Sequence, residues 1–206
     1  MAGMVLPPNA NPFGYILPGS NVNPFSSLLP SSFPPGTPQH IIEAFRYSDK
    51  DGNGFIDDKE LKAVLSTCDH GFSLRTIHLL MYSFTSTNTR VIGPREFVQL
   101  FTSLQQWRDV FERNDKDRNG KIDSYELQQT LQTLGYPVPP TVLNLLVLKF
   151  DKSGRNYALS YDNFIECCIV VKGLSDKFKE KENVGSGFAT FTYESFLLSV
   201  LPFVVA

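Results

Sequence analysis

Asp49-Lys50-Asp51-Gly52-Asn53-Gly54-Phe55-Ile56-Asp57-Asp58-Lys59-Glu60 recurs 66 residues later as Asp115-Lys116-Asp117-Arg118-Asn119-Gly120-Lys121-Ile122-Asp123-Ser124-Tyr125-Glu126. Both windows read D-x-D-x-N-G-x-I-D-x-x-E, and each fixed position has a job in an oxygen cage for a hard cation. Asp49, Asp51 and Asn53 supply side-chain oxygens at positions 1, 3 and 5, as do Asp115, Asp117 and Asn119. Phe55 and Lys121, at position 7, contribute backbone carbonyls, so their side chains are free to vary. Asp57 and Asp123 act at position 9, directly or through water, and Glu60 and Glu126 close the shell with both carboxylate oxygens. The glycine at position 6 permits the positive φ of the sharp turn. Asx-rich turns arise by chance, but a sevenfold match occurring twice does not.

These are EF-hand loops, and two calcium ions are the expected cofactors. An apolar pair stands eight and four residues ahead of each loop, Ile41 and Phe45 for the first and Trp107 and Phe111 for the second. That spacing places both residues on one face of a helix. The same pair recurs as Ile77/Met81, Leu143/Val147 and Leu174/Phe178. Five loops are therefore expected, starting at Asp49, Thr85, Asp115, Asp151 and Glu182. The expected fold is all-α: five helix–loop–helix hands at about 41–68, 74–104, 105–134, 139–172 and 174–201.

Three loops lack the ligand set. The one from Thr85 keeps Ile92 and Glu96 but has no carboxylate at positions 1, 3, 5 or 9, and Arg90 replaces the turn glycine. The fourth is one residue too long before Phe164, carries Arg155 where an oxygen belongs and ends in Asn163. The fifth puts Val184 at its third place and is also about one residue too long. Their expected role is structural. EF-hand loops pair through a short β-bridge at the eighth residue, so Ile56 should meet Ile92, and Ile122 should meet Ala158 or Leu159.

From Thr85 to Asp115 is 30 residues, too few for a loop, two helices and a linker. One long helix must leave the second loop and enter the third, roughly Pro94 to Asn114. A second shared helix should run from about Tyr161 to Lys181, with Gly173 as its weak point.

The remaining sequence sets the boundary. Every Lys, Arg, Asp and Glu lies between Glu43 and Glu194, whereas residues 1–38 carry no charge and nine of the fourteen prolines. Proline at that density forbids helices and central strands. Residues 1–38 are thus expected to be a flexible leader, and its aromatics Phe13, Tyr15, Phe25 and Phe33 could alternatively dock on an apolar groove of the chain or of a partner. A net charge of −2 argues against nucleic acid as a partner. No run of about 18 apolar residues is present, no secretory signal is visible, and Ala2 after Met1 excludes N-myristoylation. Three cysteines, Cys68, Cys167 and Cys168, form no disulfide framework and suit a reducing, cytoplasmic setting. Cys167 and Cys168 read as a buried helix pair, and His40, His70 and His78 have no metal-ligand spacing with any cysteine. No G-x-S-x-G, H-E-x-x-H, P-loop or C-x-x-C is present, so no enzyme is expected.

The five-hand count, the shared helices, the uncharged Pro-rich leader and strings such as Phe111-Glu-Arg-Asn-Asp-Lys-Asp-Arg-Asn-Gly-Lys-Ile122 resemble the penta-EF-hand family. The likeness covers about residues 39–206 and is nearest to the apoptosis-linked-gene and peflin branch, with plant calmodulin-like members of that architecture. It implies dimerisation through paired fifth hands, as a homodimer or heterodimer, and calcium-dependent docking onto target proteins, Pro-rich peptides or membranes. The apolar end Phe196 to Ala206 would fit such a dimer interface. The expected function is a calcium sensor and adaptor. A passive calcium buffer and a calcium-indifferent subunit of a heterodimer are the alternatives.

Overall fold

The structure, a computed structural model, describes residues 32–68, 71–152, 154, 158–183 and 185–204. Most of the leader, His70, Arg155 and Val184 therefore lie outside the described residues.

The chain folds hand by hand. Helix α1 (Gln39–Ser48), strand β1 (Ile56–Asp57) and α2 (Asp58–Cys68) make the first hand. Helix α3 (Leu74–Thr85), β2 (Val91–Ile92) and α4 (Pro94–Asn114) make the second. Then follow β3 (Ile122–Asp123), α5 (Ser124–Thr133), α6 (Pro140–Phe150), β4 (Ala158–Leu159), α7 (Tyr161–Lys179) and α8 (Tyr193–Val204). All secondary structure other than these eight helices, among the described residues, is the short antiparallel pairs β1–β2 and β3–β4 and one bridge, Glu182 to Ala189.

The β-pairing matches the expected register. Ile56 faces Ile92, and Ile122 faces Leu159 rather than Ala158. The extra residue of the fourth loop thus shifts its inward apolar position from eighth to ninth.

Helix α4 is the expected shared rod of 21 residues, roughly 30 Å long. Pro94 opens it with a preset φ, and the Glu96 carboxylate accepts the Gly93 N–H at 3.2 Å. Its far end enters the third loop, so Trp107 and Phe111 of the same helix line the next hand.

The core is built from the apolar pairs and the fourth residue of each exit helix. Ile41, Phe45, Ile77, Met81, Trp107, Phe111, Leu143 and Val147 are buried, and so are Leu61, Phe97, Leu127 and Phe164. The fifth pair departs from this pattern, since Leu174 and Phe178 are exposed. The first four hands cover one another in two pairs, whereas the fifth has no internal partner.

Helix α8 folds back on α7 and α3. The Phe203 ring lies directly against the Cα of Gly173 and meets Tyr82 edge-on at 5.7 Å. Gly173 is no weak point in α7, which runs through it unbroken; its missing side chain makes the seat for Phe203. Arg75 of α3 fixes the same end, donating from Nη2 to the Phe203 carbonyl at 2.8 Å and from Nη1 to Val204 at 3.0 Å. Its Nε donates to Glu166 at 2.7 Å, whose other oxygen takes Lys152 Nζ at 2.8 Å. Glu166 is only 2% exposed, and two cations make that burial tolerable. Gly173→Val should push Phe203 from its seat and cost about 1–3 kcal/mol, read from urea unfolding.

Candidate metal centres

Three carboxylates converge in each of two loops. Oxygens of Asp49, Asp51 and Glu60 lie within 4.8 Å of one another, and so do those of Asp115, Asp117 and Glu126. Like charges gather this closely at little cost only when something positive faces them. Here the backbone supplies part of that.

The first-position aspartate is gripped by the turn. Asp49 accepts the Asn53 N–H at 3.1 Å and the Gly54 N–H at 3.0 Å. Asp115 accepts the Asn119 and Gly120 N–H groups at 3.0 and 2.9 Å. The third-position aspartates also accept, Asp51 from Asn53 N–H and Asp117 from Asn119 N–H, both at 3.1 Å. Positive φ at Gly54 (82°) and Gly120 (76°) is what turns these amides inward.

The closing glutamates are splayed across the loop. Glu60 takes the Lys50 N–H on one oxygen at 2.9 Å and the Asp57 N–H on the other at 3.0 Å. Glu126 takes the Lys116 N–H at 2.8 Å and the Asp123 N–H at 3.0 Å. Both oxygens of each glutamate therefore accept a backbone amide, which fixes the orientation of the carboxylate, and Glu126 is buried.

The other expected ligands stand differently. Asp57 and Asp123 do not join the carboxylate clusters; each caps the following helix, accepting the N–H of Glu60 or Glu126 at 2.8 Å. Asn53 and Asn119 lock the turn, donating to Asp51 and Asp117 and accepting the N–H of Phe55 and Lys121. Phe55 and Lys121 occupy the seventh positions, where only the backbone matters.

Sequence reasoning missed the fourth position. Gly52 has a φ of 69° there, and in the third hand Arg118 adopts 57°, a conformation that strains a side-chain-bearing residue. It also missed the neighbour of the first loop. His78 on α3 pairs with Asp58 at 2.8 Å, and that hydrogen bond, helped by charge from His78 and Arg90 against burial, holds the Asp58 carboxyl below its ordinary range.

The second loop keeps the shape without the charge. Arg90 adopts the turn's positive φ at 54°, and Glu96 accepts the Gly93 N–H as Glu60 and Glu126 do in their loops. Where carboxylates would stand are Thr85, Thr87 and Thr89, with the last two hydroxyls bonded to each other at 2.9 Å. Glu96→Gln should therefore leave the calcium stoichiometry unchanged in a calorimetric titration.

Known proteins carry this arrangement. The EF-hand domain family matches residues 40–71 and 106–135, the hands with the carboxylate clusters. The chain is 39% identical over 176 residues to the probable calcium-binding protein CML48 of Arabidopsis thaliana, covering 84% of this chain and 77% of that one. A solved homologue of programmed cell death 6 protein from Leishmania major is similar at 30% identity and a TM-score of 0.66, across 80% of this chain and 90% of that one. The chain belongs to the penta-EF-hand family. It is also 61% identical over 177 residues to the calcium-binding protein CBP of Oryza sativa, covering 85% of this chain and 61% of that protein. It spans 50–61% of the length of the first curated relatives it matches. Penta-EF-hand proteins of this calmodulin-like kind take Ca2+, and the two carboxylate clusters suit it: hard oxygen donors, preset on rigid turns.

Among the described residues no helix is long and apolar enough to cross a membrane. Cys167 and Cys168 are buried, and burial pushes the Cys167 thiol up to about 12. Burial disfavours the thiolate of Cys168 likewise.

Proposed function

We propose that the protein is a non-enzymatic cytoplasmic calcium sensor and adaptor with one live site in each of its first and third hands. Asp49, Asp51, Asn53, Asp57, Glu60 and the Phe55 carbonyl would hold one ion; Asp115, Asp117, Asn119, Asp123, Glu126 and the Lys121 carbonyl would hold the other. The observation that carries this reading is the convergence of three carboxylates within 4.8 Å in those two loops, on turns of matching hydrogen-bond pattern. Four carboxylates per loop suit sensor affinities, on the order of 10⁻⁷–10⁻⁵ M.

Calcium would swing α2 and α5 away from their partner helices and uncover apolar surface to a target protein or Pro-rich peptide. Leu65 and Leu100 are buried and Val64 and Phe101 half-buried, so opening the first pair has apolar area to expose. The test is calcium calorimetry with a hydrophobic dye in the same sample. Two sites with a rise in dye signal support the sensor; two silent sites mean a buffer, and absent binding refutes the ligand set.

A dimer through the fifth hand is the second part of the proposal, for the apolar surface there is uncovered. Phe178, Phe196, Leu198 and Leu201 are exposed, Leu198 at 68%. A monomer by light scattering at micromolar concentration would overturn it. The same face accounts for the reading as a heterodimer subunit, with calcium indifference decided by the calorimetry.

A further inference from the structure

The described end of the leader does not stand apart from the hands. Pro34, Pro35, Gly36 and Thr37 form a turn in which the Thr37 N–H donates to the Pro34 carbonyl at 3.2 Å and its hydroxyl to the same oxygen at 2.7 Å. Gly36 has a φ of 80°, so proline and glycine occupy the second and third positions that a type II turn requires. The turn folds Phe33 back on α1, where its ring meets Phe45 edge-on at 5.3 Å.

From there a row of rings crosses the first hand pair. Phe45 meets Phe97 of α4 edge-on at 5.3 Å, and Phe97 stacks on Phe101 at 5.8 Å. The inner two rings are buried, and Phe33 and Phe101 at the ends are half-buried. Among the described residues, 32–37 hydrogen-bond only within their own turn. Phe33 is held, among the described residues, by apolar contact, and another ring could make the same contact.

We propose that Phe33-Pro34-Pro35 is a built-in ligand of the first hand pair, filling the aromatic seat on Phe45 so that a partner's ring must displace it to dock there. The two prolines and the turn fix the segment before it binds, which keeps the ordering cost small. Tethering supplies the rest. A short tether gives an effective concentration of the order of 1 mM, so against a segment that binds with a Kd of about 0.1 mM, a free copy sees the seat roughly tenfold weakened. This deepens the sensor reading, because it names what occupies the surface that calcium would open.

The test uses the full chain and a fluorescent peptide copying residues 30–38, titrated without and with calcium. Phe33→Ala removes the ring. Gly36→Val breaks the turn and leaves the ring, and the added side chain meets nothing within 4 Å, so only backbone strain is introduced. Both variants should bind the peptide about tenfold more tightly than the unaltered chain, and a peptide carrying Phe33→Ala should bind none of the three. Equal binding by all three proteins, or by none, overturns the proposal. Two calcium sites with dye uptake alongside equal peptide binding would sink this inference alone. Peptide competition in a chain blind to calcium would sink the sensor reading and leave this contact standing.

Discussion

Glu126→Gln should reduce the calcium stoichiometry from two to one while leaving the fold intact. Glu126 holds two amides on two oxygens, Lys116 N–H and Asp123 N–H, across the mouth of the third loop. A calcium ion on that loop needs both oxygens turned to it. Glutamine keeps one acceptor and presents an NH2 group in place of the other, so the ion would lose a negative charge and meet a donor. The affinity should move from about the sensor range into the millimolar range of weak sites. Glutamine is nevertheless accepted at the third position of a capping box, and the Asp123 cap on the Glu126 N–H does not involve the side chain. Helix α5 should therefore persist. Calorimetry reads the lost site and circular dichroism the retained helix; an unchanged stoichiometry would refute the ligand assignment. Glu60→Gln should do the same to the first loop.

Phe97→Ala should have the largest effect on stability. Phe97 is 0% exposed and sits between Phe45 and Phe101, joining the helix that enters the first loop to the one that leaves the second. Removing a buried phenylalanine ring costs about 3–5 kcal/mol, a large share of the 5–15 kcal/mol that holds a typical domain. Urea unfolding of the calcium-free protein measures it directly. Leu145→Ala on the exposed face of α6 should change stability by less than about 0.5 kcal/mol in the same experiment. Similar losses for the two would refute the view that the ring row organises the first pair.

Local chemistry made the hands legible. Ligand spacing located the first and third loops, and loop-to-loop distance required α4 to be shared from Pro94 to Asn114. Helix α7 ends at Lys179, two residues short of its expected end, at the edge of the fifth loop. What escaped the sequence depends on residues far apart in the chain. Nothing near Arg75 announces that it reaches Glu166 and the carbonyls of Phe203 and Val204. Gly173 looked like a flaw because its purpose, room for Phe203, lies thirty residues on. The capping role of Asp57 and Asp123 was hidden for a different reason: an aspartate at the ninth place reads equally as a ligand and as a helix cap.

Helix α4 has a consequence for the shape of the calcium response. The pairings Ile56–Ile92 and Ile122–Leu159 set each acidic loop against one without the full ligand set, so the two ions would never be neighbours across a strand pair. Helix α4, which leaves the second hand and enters the third, is one route between the two hand pairs, beside the α3–α7 contact that Arg75 and Glu166 make. A stiff junction would steepen the titration towards a Hill slope of two, the ceiling for two sites; a yielding one would leave two independent, shallow steps. The steepness of the calcium curve is thus a measure of how firmly the two hand pairs are joined.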